Sequence, residues 1–264
     1  MILQDFSLRD CITLDFEFRP LEGREGNLPE VICMVAYEVG TGKYHRIFQE
    51  ELYQLKAPPF PIDKKAVIVA YFASAEMSCF KALGWPMPQN VLDLYAEFRN
   101  RTNGFSYLPG GRSLLGAMKF FGLDSIAPEH KEEMRTLALR GGPYNYHERS
   151  SLLDYCQSDV DALLPLLSAM LPGIDQPRAL LRGQYNIAVA AMENTGTPID
   201  IQTYADLCHY WDKIKGELIL EVDAAYGVYQ DGVFKSDLFE KYLGLANIPW
   251  PRTATGKLKL DEDT

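Results

Sequence analysis

Residues 14–18 read Leu-Asp-Phe-Glu-Phe, an alternation of apolar and acidic side chains with a period of two. In a β-strand successive side chains point to opposite faces, so Asp15 and Glu17 share one face and Leu14, Phe16 and Phe18 the other. The apolar face calls for a sheet packed on a core. The acidic face sets two carboxylates side by side, and their repulsion calls for a counter-charge, commonly a divalent cation held by oxygen ligands. A solvated acidic face on an edge strand is the other reading of these five residues.

The remainder of the chain reads as α/β. Residues 19–29 are rich in Gly, Pro and charge and predict a loop, and the β-prone runs 31–39 and 43–48 flank a Gly-Thr-Gly turn, which predicts a hairpin. Residues 66–70 form a short apolar run with the look of a buried strand. Ser74 is then expected to cap a helix ending near Gly84, and Trp-Pro-Met-Pro at 85–88 cannot continue it. Another short strand is expected at 90–94, followed by a helix to 101. Leu114, Leu115, Met118, Phe121 and Leu123 make an apolar helical stripe closed by Gly122. The strongest helical period runs over 150–171, with Leu152, Leu153, Cys156, Val160, Leu163, Leu164 and Leu167 on its buried side. Pro172-Gly173 breaks the chain, and a domain boundary is expected there, between 1–172 and 173–264. Beyond it the sequence predicts helices over 177–194, 203–226 and 236–243. Three antiparallel strands followed by helices alternating with two more strands predict a mixed β-sheet flanked by helices, then a mainly helical segment.

Composition narrows the function classes. The formal charge of −10 over 264 residues excludes a generally basic nucleic-acid coat, although cations and a few local Lys or Arg can still carry phosphate contacts. The five cysteines, at 11, 33, 79, 156 and 208, are odd in number and lack paired spacing. That argues against a disulfide framework or zinc site and for a reducing, cytoplasmic setting. The longest apolar stretch, 66–75, is too short to span a bilayer, and the acidic amino terminus does not predict a secretory signal.

Tyr155 and Asp159 lie four apart on the strong helix and so share a face. Alone they could be part of a solvated surface with Asp154, Ser158 and Asp161. Together with Asp15-x-Glu17 on a first strand and an acidic residue between, they make the chain resemble the DEDD superfamily of 3′–5′ exonucleases, in the subgroup with tyrosine, over about residues 10–171. The resemblance implies a ribonuclease-H-like fold. It also implies two Mg²⁺ or Mn²⁺ ions held by Asp15, Glu17, Glu76 and Asp159, with Tyr155 orienting the attacking water. The second motif departs from the family. The usual asparagine is absent from Ala70-Tyr-Phe-Ala-Ser-Ala-Glu76, and Glu76 is one methylene longer than the usual aspartate. Asp93 is the alternative second-motif acid, on the following strand, where the family has an acid that usually binds no metal.

Residues 192–200, Met-Glu-Asn-Thr-Gly-Thr-Pro-Ile-Asp, and the segments Ile-Pro-Trp-Pro-Arg-Thr at 248–253 and Gly-Lys-Leu at 256–258 are similar to the start of the thumb of family A DNA polymerases of phage or bacteria. Polymerase palm motifs do not occur. The resemblance therefore implies the amino-terminal part of a longer polymerase, acting in a bacterial or phage-infected cytoplasm with no membrane partner. Its expected partners are a single-stranded DNA 3′ end or frayed primer terminus and the remainder of the polymerase chain. Phe72, Arg112, Arg178 and Arg182 are the expected substrate contacts. Phe16, Phe18 and Tyr71 are further aromatic candidates, the first two better placed for the core. An RNA-trimming exonuclease of the ribonuclease D type, and an exonuclease-shaped module that has lost turnover, are the alternatives.

Overall fold

The alternating stretch forms the centre of a sheet. In the computed structural model, which describes residues 9–21, 28–123 and 128–260, β1 spans Asp10–Arg19, β2 Glu30–Glu38, β3 Lys43–Phe48, β4 Ala66–Ala70 and β5 Val91–Asp93. The sheet order is β3-β2-β1-β4-β5. The first three strands are antiparallel, while β4 and β5 run parallel to β1 and to each other. The β2–β3 hairpin closes through Gly42, whose φ of +71° a side chain would disfavour. Of the expected loop at 19–29, residues 22–27 lie outside the described residues, as do the first eight residues and the last four.

Helices cover both faces. On one, Ile12, Leu14 and Phe16 of β1 meet Met77 and Phe80 of α2 (Ala73–Ala82), where Phe80 makes edge contacts with Phe16 at 6.0 Å and Trp85 at 5.4 Å between ring centroids. α1 is the short turn Gln49–Leu52, which buries Leu52 in the same cluster. The other face is covered by α3 (Leu94–Arg101), α4 (Leu114–Phe120) and α6 (Tyr146–Met170). Leu163, Leu166 and Leu167 of α6 meet Cys11, Val67 and Val69, and Leu152, Cys156 and Val160 meet Cys33 and Val35. α5 (Pro128–Arg140) precedes α6, which begins with a capping box in which Asn145 and Glu148 satisfy each other's backbone N–H groups.

Two local expectations change. Ser74 is not the cap of α2: the helix starts two residues earlier, after Phe72 at φ 72°, and Ser74 is buried inside it. The helix after Pro172-Gly173, α7 (Gln176–Thr195), packs on α2 and β5, and the chain divides into compact units at 1–197 and 198–264. The break at 171–173 is a single 3₁₀ turn.

Gly183 explains how α7 sits so close to the sheet. A Cβ there would fall 1.8 Å from the Val91 carbonyl oxygen. Ala179 and Ala190, also buried, keep the rest of that face narrow.

The second unit contains α8 (Ile201–Tyr226), a two-stranded hairpin of β6 (Tyr229–Gln230) and β7 (Val233–Phe234), and α9 (Ser236–Leu245). Its small core is aromatic: Phe239 contacts both Phe234 and Trp250, and Tyr226 contacts Tyr242. Among the described residues no helix is long and apolar enough to cross a membrane.

Candidate active site

Strand alternation places Asp15 and Glu17 opposite Val35 and Cys33, on the face covered by α6, while Leu14 and Phe16 are buried on the other. A register shift follows directly between Glu17 and Phe18. α6 presents Tyr155, Cys156 and Asp159 near these acids. The Cys156 thiol lies 3.2 Å from the Asp15 carbonyl oxygen and 3.4 Å from its Oδ2. Ligand atoms of Asp15, Glu17 and Cys156 all lie within 4.8 Å of one another. The Tyr155 phenol donates to Asp159, and burial, then the charge of Asp159, then Glu17 and Asp15, push its pKa above the ordinary range. Tyr155 therefore stays protonated.

Glu76 arrives from the opposite helix layer, in the first turn of α2. It is buried, accepts the Phe16 N–H, and its Oε2 has no hydrogen-bond partner among the described residues. Burial pushes its carboxyl pKa well up, and the charges of Asp15 and Glu17 add to that. An orphaned buried oxygen facing two further acids is the local chemistry that a cation would relieve. The donors are hard oxygens. Burial and a hydrogen bond with Cys33 keep Cys156 a thiol, so it is the poorer ligand for such an ion.

Asp93 has a different job. It caps α3, with Oδ1 accepting the N–H groups of Phe72 at 3.0 Å and Tyr95 at 2.9 Å, and Oδ2 accepting from Asn186 at 2.7 Å. Burial raises its pKa and the backbone N–H groups oppose that.

Beside the acids opens a cavity of about 400 Å³ lined by Asp15, Asp159, Tyr71, Phe72, Tyr95 and Arg112, among others. Of the expected substrate contacts, Phe72 and Arg112 thus line the same cavity as Asp15 and Asp159. Arg178 and Arg182 are not among the residues lining this cavity. Arg178 pairs with Asp175 at 2.5 Å, and Arg182 holds Glu97 through two bonds of 2.6 and 2.7 Å. Phe16 is core. Sequence reasoning did not single out Cys156, Tyr95 or Asn186 for the site. Cys156 carried a signal as the neighbour of Tyr155, whereas Asn186 gave none, since its partner is 93 residues away.

No protein-family model matches this chain, and no curated protein does. Solved structures do. The ribonuclease D of Trypanosoma brucei in complex with RNA U12 is similar at a TM-score of 0.51 and 16% identity, over 75% of this chain and 69% of that one. Another structure of the same protein is similar at 0.51 and 14% identity, over 75% and 71%. At such identities the likeness is one of fold, and the mixed sheet flanked by helices is ribonuclease-H-like.

Proposed function

We propose that the chain is a metal-dependent 3′–5′ exonuclease that removes nucleotides from a single-stranded 3′ end. The observation that carries this is Glu76: a buried carboxylate with an oxygen that has no partner among the described residues, set against the charges of Asp15 and Glu17, which also act on Tyr155. Divalent cations bound by Asp15, Glu17, Glu76 and Asp159 would neutralise the cluster and activate a water for attack on the last phosphodiester. The chain's own part would be to hold acids from β1, α2 and α6 around those cations. Tyr155, protonated and tied to Asp159, orients a water or a substrate oxygen and is no base at neutral pH. The cavity along Phe72 and Arg112 gives the terminal nucleotide an aromatic surface and a cation near its phosphate. The products are 5′-nucleotides.

Two substrates have separate support. The fold likeness to ribonuclease D favours trimming of RNA. The similarity of 192–200 and 248–258 to a family A polymerase thumb favours proofreading of DNA and a longer polymerase chain around this one. Matched RNA and DNA strands, labelled at the 5′ end and with or without a blocked 3′ hydroxyl, separate them by rate. EDTA should stop release and Mg²⁺ or Mn²⁺ restore it, so full activity in excess EDTA would sink this mechanism. Asp15→Ala and Glu76→Ala should each cost about a thousandfold, as the loss of several kcal/mol of charge stabilisation implies. Glu76→Gln should raise the Tm of the metal-free protein while abolishing the further rise on adding Mn²⁺. A wild-type chain that binds strands without releasing nucleotides would leave the module that has lost turnover.

A further inference from the structure

Phe72 is a bulky residue in the left-handed region, φ 72° and ψ 54°, with 49% of its surface exposed. Neither property follows from packing. The conformation disfavours any side chain with a Cβ, and a large apolar ring gains by burial. Something must hold it there, and the structure shows what does. The Phe72 N–H is bonded to Asp93 Oδ1, which also takes the N–H of Tyr95, while Oδ2 is fixed by Asn186 from α7. Asp93 is 4% exposed, so none of these bonds competes freely with water.

The consequence is an aromatic notch. The Phe72 ring stands 5.1 Å from that of Tyr95, edge to face, and Tyr95 in turn is 5.7 Å from Tyr71. The Tyr71 hydroxyl donates to the carbonyls of Arg112 and Ser113, at 2.7 and 3.0 Å, pinning the opposite wall. Asp15 and Asp159 line the same cavity.

Resting on the nuclease reading above, we propose that Asp93, anchored by Asn186, is a positioning residue that holds Phe72 in its left-handed conformation so that its ring, braced by Tyr95, stacks on the 3′-terminal base. The base is recognised by its π-face, so the notch tolerates all four bases. Asp93 touches no substrate and acts through Phe72 alone. A helix outside the strand-and-helix frame that carries the acids thereby sets how the end of the strand is gripped.

The test uses the full chain and a short single strand carrying 2-aminopurine as its 3′-terminal nucleotide. Its fluorescence is read in EDTA, and its release is read with Mg²⁺. Wild type should quench the probe. Phe72→Ala and Asp93→Ala should both lose the quench and raise KM about tenfold, with kcat little changed, as removal of one base–aromatic stack implies. Phe72→Tyr should keep both readouts, and Asp93→Asn, which retains the acceptor at Oδ1, should keep most of each. In a Phe72→Ala background, Asp93→Ala should add nothing. Asn186→Ala, which leaves Asp93 in place should Asp93→Ala not fold, should weaken the quench partway. An unchanged quench and KM in Asp93→Ala or Asn186→Ala overturns the proposal, as does an undiminished effect of Asp93→Ala without Phe72. Release without quench also overturns it and spares the nuclease reading. Quench without release does the reverse.

Discussion

α7 and α8 are consecutive long helices with similar promise in the sequence, and they end up in opposite circumstances. α7 buries Ala179, Gly183 and Ala190 and is tied down by Arg182 to Glu97, Asn186 to Asp93 and Gln184 to the Gln89 carbonyl. α8 buries no residue, and Tyr204, Leu207, Tyr210, Trp211, Leu218 and Leu220 are exposed along it. The difference lies less in apolar content than in fit. α7 has small residues where it must approach a strand, and polar groups that find buried partners. α8 has large apolar residues and a glycine, Gly216, with nothing near it.

That contrast can be broken most sharply at the two glycines. Gly183→Ala drives a methyl into the Val91 carbonyl and should cost about 3 kcal/mol, a fall in Tm of roughly 10 °C for a unit of this size. Gly216→Ala should instead stabilise α8, by at most about 1 kcal/mol. Thermal unfolding of both variants checks the pair, and equal effects would mean that α7 is no better seated than α8.

Next in size is Arg182→Ala. It leaves Glu97, 3% exposed, without its cation. The cost should be about 2 kcal/mol, less than for a fully buried pair because Arg182 itself reaches water. Urea unfolding reads it, and a change under a few tenths would show that the bidentate contact merely decorates the interface.

The smallest effect concerns acid. Thr203, through its hydroxyl and then its N–H, holds the Asp200 carboxyl at the start of α8 below the usual aspartate range. A depressed pKa stabilises the fold above the ordinary value, and that contribution fades as pH falls through it and below. Amide exchange in the first turn of α8 should therefore accelerate on acidification, relative to intrinsic rates, and should lose that pH dependence in Asp200→Asn.

How far the sequence could be read follows the range of the interactions. Alternation at 14–18 and the 3.6-residue period at 150–171 are local, and β1 and α6 stand where those patterns placed them. Asp15, Glu17, Tyr155 and Asp159 came with those elements. Ser74 misled because a serine before an apolar run looks like a cap. The start of α2 is set instead by Asp93, some twenty residues on, bonding the Phe72 N–H. The same distance effect hid Asn186 and the pairing of Arg182. A basic residue on a helix has no local mark that distinguishes a phosphate contact from a partner for a buried glutamate.

Gly183 also bears on where this polypeptide can be divided. Cutting at the Pro172-Gly173 turn, where the sequence alone suggests a seam, would remove α7 from β5 and leave Asp93 without Asn186 and Glu97 without Arg182. A piece ending there should be sticky and ill-formed, and one ending near Thr197 should express as a well-behaved particle. For anyone trimming, grafting or fusing this protein, the usable junction lies after α7.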